Sequence, residues 1–509
     1  MGISRNNRRE FLRNLCCVAA GGGVAAMVPQ LRMMSTALAS TSSLTGYKAL
    51  ICLYLNGGND SWNMLVPFDT TRFNTYTTSR SGTYNSGTNP GGLGLTLPTG
   101  SQVALQKVID TTDSSQYFLH PNLGDISASS TQLTTLFNQK RLAFITNVGP
   151  LNKPINKIDY NNSSANRPPQ LFSHADQTAQ WHQGNTKTGT AIGWGGLLAE
   201  NLATQGANLT SNPTLPLAIS IAGANRFEVG SSSIPYQMSS NGLIGLNGVC
   251  NPTPNCNGSA YSGARDAALN DLLTESYSSA FAGEYNTVIG NARNLYTKMG
   301  PDLPPTSTAY VPNITWPNTG IASQLKTVAT MIKLAKTKNY AQRQIFFVQI
   351  GGFDLHSGYW SGNNGHPVLL GQVAAAMTAF WTAMGTIPGV QTGTTAQDET
   401  ALFTVSDFAR TLQSNGAGSD HAWGSLQMVM SKKVNGGKLY AHGDKLSGFP
   451  DQSLSAAQSF SRGQMIPGIG VEQYAATLAK WMGVADSNLN AMFPNLANFT
   501  TRDLGFMAP

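Results

Sequence analysis

Three short segments concentrate side chains able to hold a metal ion or move a proton. They are Gly57-Gly58-Asn59-Asp60-Ser61, Gly351-Gly352-Phe353-Asp354-Leu355-His356, and Ser406-Asp407-Phe408-Ala409-Arg410 with Ser419-Asp420-His421 close behind. The chain has only seven histidines, and two of them fall in this set. Carboxylate and imidazole together make a mixed oxygen and nitrogen donor set, suited to Zn, Mn or Ca according to the balance. In Asp354-x-His356, alternate residues of an extended segment point the same way. The glycine pairs let backbone or ligand approach closely. A lone aspartate after a strand is ordinarily a helix N-cap; recurrence on successive segments is what points to a metal.

A further candidate lies in Phe172-Ser173-His174-Ala175-Asp176-Gln177, ahead of a helical stretch with Trp181 and His182. Ser173 there reads either as the helix N-cap or as a nucleophile whose alkoxide the positive helix end stabilises. His174 is placed to orient a substrate, protonate a leaving group or only stack. Arg410 has two readings, binding an anionic oxygen or holding a structural ion pair. There is no G-x-S-x-G elbow, no H-E-x-x-H and no phosphate-binding glycine loop with lysine.

These segments follow apolar runs that read as buried strands: 49–55, 142–148, 217–221, 344–350 and 400–406, with a sixth near 426–430. Continuous apolar runs ending in Gly-Gly or polar residues are the pattern of strands buried on both faces, hence parallel. Helical periodicity occupies 133–140, 177–202 with a break near 184–190, 264–300, 321–338, 368–384 and 471–481. The alternation predicts one large α/β domain over 40–509 with a mostly parallel central sheet. Loop insertions are expected near 79–100 and 230–262. Parallel order sends the strand tips to one sheet edge, where ligands of such folds gather.

Composition narrows the function. Of 509 residues, 41% are hydrophobic and only 11% charged, with 53 glycines. That is a folded composition, not a disordered one, and it lacks the Lys/Arg stripe of a nucleic-acid binder. The formal charge is +7, but residues 1–39 hold five arginines and one acid, Glu10. Without them, 32 basic and 25 acidic residues become 27 and 24, a net +3. Asn7-Arg8-Arg9-Glu10-Phe11-Leu12-Arg13, a weakly apolar glycine-rich stretch and Ala37-Leu38-Ala39 read as a twin-arginine signal peptide over 1–39. The expected location is therefore periplasmic or secreted, with the twin-arginine machinery as a partner. No transmembrane helix is expected in the mature chain. In an oxidising compartment, Cys250 and Cys256 are expected to form a local disulfide. Cys52 reads as a small core residue.

The long ordered motifs resemble a bacterial family called domain of unknown function 1501. They include Leu55-Asn56-Gly57-Gly58-Asn59-Asp60, Phe172-Ser173-His174-Ala175-Asp176-Gln177 and Gly193-Trp194-Gly195-Gly196. The strand-end segments and Asp420-His421-Ala422-Trp423-Gly424 belong with them. The likeness spans about 47–507, and the family has no settled activity. More distantly the chain is similar to the alkaline phosphatase and sulfatase superfamily. That resemblance implies an alkaline-phosphatase-like three-layer α/β sandwich. It also implies metal-dependent hydrolysis of phosphate or sulfate esters, hence a small anionic ester as substrate.

Carried onto this chain, the resemblance makes Ser173 the nucleophile and places Asp354, His356 and His421 around one metal. Asp60 is the carboxylate after the first strand, and Asp407 lies toward a second metal. The superfamily usually has Asp-His where this chain has Asp407-Phe408, so one donor of the second metal is missing. About one divalent ion per chain is expected. Two rival readings are a non-catalytic envelope or binding protein that keeps the fold with a degraded site, favoured by Phe408, and a carbohydrate-active surface protein, suggested by low charge and many Asn, Trp and Tyr.

Overall fold

The computed structural model describes residues 44–508, except 129–131, 163–166, 187–190, 209–214, 244–261, 305–306 and 442–448. The expected signal peptide, with its twin arginines, and the expected Cys250–Cys256 disulfide lie outside the described residues.

The main sheet contains β1 (Lys48–Leu55), β2 (Leu142–Gly149), β3 (Ala218–Ser220), β4 (Tyr236–Gln237), β5 (Arg343–Ile350), β6 (Thr400–Ser406), β7 (Ser425–Met430), β8 (Leu439–Tyr440) and β9 (Ile469–Gly470). Its order is β8-β2-β7-β6-β1-β5-β3-β4, with β9 also on β2. Pairing is parallel throughout except for β7, which runs antiparallel to both β2 and β6. The one antiparallel strand, within the mostly parallel sheet expected, has a simple reason. The segment between Ser406 and Ser425 contains no helix, and parallel neighbours need a crossover, usually helical.

Each face of the sheet is buried because its central strands carry apolar side chains on both sides. On one face Ala49, Ile51, Leu53 and Leu55 pack under α3 (Gly320–Lys338) and α4 (His366–Gly385). On the other, Leu50, Cys52 and Tyr54 meet residues of α1 (His174–Gln183), α2 (Trp194–Thr204) and α5 (Val471–Met482). The protein is thus mixed α/β with a large, mostly parallel central sheet. Among the described residues α4 alone is long and apolar enough to cross a membrane. Its Leu370, Val373, Met377 and Phe380 are core residues.

The helical stretch expected over 177–202 is two helices, α1 and α2, separated near the predicted break. The segment 80–101 carries no helix or named strand, as expected of a loop. A small sheet of Leu65–Pro67, Gln116–Leu119 and Lys107–Ile109 was not legible in the sequence. Its strands are three or four residues long, too short for a period to register.

Candidate metal centre

The tips of β1, β5 and β6 meet because these strands are adjacent, parallel and in register. Leu55 pairs with both Ile350 and Ser406. The antiparallel β7 starts at that same edge, which brings His421 to it. Residues 409–411 and 420–423 form a short antiparallel ladder: Ala422 N–H donates to the Ala409 carbonyl (2.9 Å) and Thr411 N–H to the Asp420 carbonyl (2.9 Å). Arg410 and His421 are bridge partners in it. The chain turns sharply after β1, where Gly57 and Gly58 have φ of 114° and 78°. A Cβ on Gly57 would lie 2.6 Å from the Asp354 nitrogen, and one on Gly58 would enter the Phe408 ring. Only glycine allows the three tips to close up this tightly.

Three imidazoles converge on Asp354, and each is held by its Nδ1. His174 Nδ1 donates to Asp407 Oδ2 (2.7 Å), His356 Nδ1 to Asp420 Oδ1 (3.0 Å) and His421 Nδ1 to the Phe172 carbonyl (2.7 Å). A carboxylate or a carbonyl can only accept, so each Nδ1 carries a proton and each ring turns its Nε2 inward. His356 Nε2 lies 2.8 Å from His421 Nε2 and 3.2 Å from Asp354 Oδ1. His421 Nε2 is 3.5 Å from Asp354 Oδ1, and His174 Nε2 is 3.5 Å from Asp354 Oδ2. Buried His174 Nε2 has no hydrogen-bond partner. One donor atom from each of His174, Asp354 and His421 lies within 4.8 Å of the others. Two ring nitrogens 2.8 Å apart are at hydrogen-bond distance and need either a proton shared between them or a metal ion bound to both. An imidazole ligand whose other nitrogen is tied to a carboxylate or carbonyl is the usual arrangement around a protein-bound metal. The residues therefore fit a divalent ion, and three nitrogens with one oxygen suit Zn or Mn better than Ca.

Asp407 is 1% exposed. Burial alone would raise its pKa. The bond from His174, the Gly57 N–H (3.0 Å) and the Tyr54 hydroxyl (2.7 Å) outweigh it and hold the carboxyl below its ordinary range. Burial and the Asp407 charge in turn push the Tyr54 phenol up, so it remains a donor. His174 is raised, chiefly by its bond to Asp407. His421 is lowered by burial and by the positive charges of Arg410, His174 and His356. For Asp354, burial is outweighed by Arg410, with His174 and His356 helping, and its pKa falls. Asp354 and His356 are nearly half exposed, at 49% and 45%, so the cluster opens to solvent.

Several residues expected at the site do other work. Asp407, expected toward a second metal, has its oxygens occupied by Tyr54, Gly57 and His174, and it orients an imidazole. Asp60, also expected as a ligand, is 2% exposed and paired with the buried Arg80. Its Oδ2 further accepts from the Tyr359 hydroxyl (2.7 Å). Ser173 caps α1: its Oγ accepts from Asp176 N–H and donates to Asp176 Oδ2 (2.6 Å). Arg410, 1% exposed, donates to the carbonyls of Gly57, Gly58 (2.8 Å), Phe353 (3.2 Å) and Ser419 (3.1 Å) and to Asp354. It clamps the tips and has no free face for an anionic oxygen. Phe408 is a wall, its ring 4.7 Å from His174 and 4.6 Å from His421. Sequence reasoning missed Tyr54 and the orienting part of Asp420. Tyr54 shares a strand face with Leu50 and Cys52, so its hydroxyl carried no separate signal.

Residues 322–492 match the family model described as Protein of unknown function (DUF1501). That span carries Asp354, His356, Asp407, Arg410, Asp420 and His421, while Asp60, Ser173 and His174 lie before it. No curated protein and no solved structure matches the chain.

Proposed function

We propose that this is an exported, metal-dependent hydrolase of phosphate or sulfate esters, built on an alkaline-phosphatase-like sandwich and working with one ion. One observation carries the reading: three Nε2 atoms, each fixed through its Nδ1, face a single half-exposed carboxylate. His174, Asp354, His356 and His421 would hold the ion, which when bound supplies Lewis acidity and activation of water. Asp407, Asp420 and the Phe172 carbonyl fix the ring tautomers. Arg410 fixes Asp354. Phe408 keeps water off one side of two rings, and the positive end of α1 adds to the attraction for an anionic ester. Water replaces Ser173 as the attacking group, because the serine hydroxyl is committed to Asp176. Asp60 and Asp407 are engaged elsewhere, which favours one ion over two.

A second reading rests on the donor number. Four donors can close a tetrahedral shell, and closed sites anchor an ion without doing chemistry. The half-exposed Asp354 and His356 favour the open alternative. Elemental analysis, the visible spectrum of the Co-loaded protein and an assay panel of aryl phosphates, phosphodiesters and sulfates decide between them. The hydrolase reading expects one ion, a weak five- or six-coordinate spectrum and turnover of one ester class. An intense tetrahedral spectrum without turnover establishes the anchoring reading. Absence of any bound ion after adding Zn or Mn sinks both.

A further inference from the structure

Beside the imidazole cluster lies an aromatic patch that the hydrolytic reading does not use. Tyr160 and Phe460 have ring centroids 4.3 Å apart, and Phe172 is 6.3 Å from Phe460. All three are only partly buried, over a base formed by Leu151, Trp423, Ile466 and Phe499. The Arg167 guanidinium lies over Tyr160, 4.5 Å from its centroid. Arg167 makes no ion pair, and its Nε finds no hydrogen-bond partner, among the described residues.

The patch is tied to the cluster from two sides. Phe172 supplies the carbonyl that holds His421, and it is two residues from His174. Phe460 is two residues from Arg462, which pairs with Asp420, the carboxylate that orients His356. Both links run through strained backbone: Phe172 has φ of 69° and Arg462 of 56°. A bulky residue at positive φ is a genuine outlier, and such strain concentrates at ligand sites.

We propose that Tyr160, Phe172 and Phe460, with Arg167, form the subsite for the organic half of the ester, and that this half is an aromatic ring bearing a second acidic group. The inference rests on the ester reading above. Flat rings favour a planar partner through stacking. The partly buried neighbours Ile155 and Leu171 are apolar, so the hydroxyls of a sugar would find few partners there. The guanidinium, without an ion pair among the described residues, is matched to a carboxylate or sulfate on the ring.

The test uses direct binding to the Zn-loaded protein, by calorimetry, of non-hydrolysable probes: phenylphosphonate, methylphosphonate and 4-carboxyphenylphosphonate, with benzenesulfonate and methanesulfonate as the sulfate pair. The phenyl probe should bind about tenfold tighter than its methyl counterpart, and the carboxyphenyl probe tighter again. Tyr160→Ala should remove the phenyl advantage and leave the methyl probe unchanged, with Phe460→Leu as a milder second variant. Arg167→Gln should remove only the gain from the carboxyl group. Equal affinity for phenyl and methyl probes, or a Tyr160→Ala loss shared by both, overturns the subsite and leaves the ester reading standing. Failure of every phosphonate and sulfonate to bind overturns the ester reading and the subsite with it.

Discussion

Asp407→Asn tests the way the imidazoles are held. In the native protein Asp407 Oδ1 accepts from Tyr54 (2.7 Å) and Gly57 (3.0 Å), while Oδ2 accepts from His174 Nδ1 (2.7 Å). An asparagine has one acceptor oxygen, and two buried donors already claim it. Its NH2 must therefore face His174. Nδ1 then has to accept, the ring proton moves to Nε2, and the lone pair aimed at Asp354 disappears. A metal ion would have to displace that proton before binding. Loss of an orienting partner of this kind lowers metal affinity by about 10- to 100-fold, or ~1.4–2.7 kcal/mol. The assay is competition for Zn against a chromophoric chelator, with a thermal melt to verify folding. His174→Ala should cost a similar amount, and the double variant little more, because both changes remove the same ligand. Zn affinity within twofold of wild type in a folded Asp407→Asn protein, or additive losses in the double variant, would refute the reasoning.

Three further outcomes are expected. Ser173→Ala should cost about 1 kcal/mol of stability through loss of the N-cap and leave ester hydrolysis within a few-fold; a thousandfold loss with the metal retained would restore serine as the nucleophile. Burial lowers His120 and His366 to about 3 and His182 to about 4, from 6.5 in an unfolded chain. Their stabilisation is present above pH 6.5 and is lost as pH falls toward 4, at up to ~4 kcal/mol per pH unit for three protons. Chemical denaturation of metal-free protein at pH 7, 6 and 5 should show a steep decline, and a flat profile would contradict it. Glu228 has the opposite sign: burial lifts its carboxyl from 4.5 to about 8, so its stabilisation is complete below 4.5 and is lost as pH rises to 8. That slope is ~1.4 kcal/mol per unit, and Glu228→Gln should flatten the alkaline limb of the stability curve; an unchanged limb would show the carboxyl ionised in the fold.

The sequence by itself determined the α/β alternation, because uninterrupted apolar runs such as 49–55 and 344–350 can be satisfied only by burial on both faces. It also singled out the tips, since aspartate and histidine recurring just after buried strands mark polar groups gathered at one sheet edge. Asp354, His356 and His421 stood out as candidates by residue type and place, and the resemblance grouped them around one metal. What only the tertiary structure decided is which partner each polar group meets. Asp60 and Asp407 look alike along the chain, each an aspartate soon after a buried strand: five residues past Leu55 and one past Ser406. One finds buried Arg80, and the other finds His174, Tyr54 and the Gly57 amide. His174 enters the cluster because α1 begins where β6 ends, and Ser173 leaves it because the N-terminus of that helix needs a cap. The reversal of β7 follows from the missing crossover helix, and it carries His421 to the edge where the imidazoles meet. Hydrogen-bond satisfaction over long sequence separations governs all of these choices. Local pattern says which residues carry donors and acceptors; only the packed fold says which of them face one another.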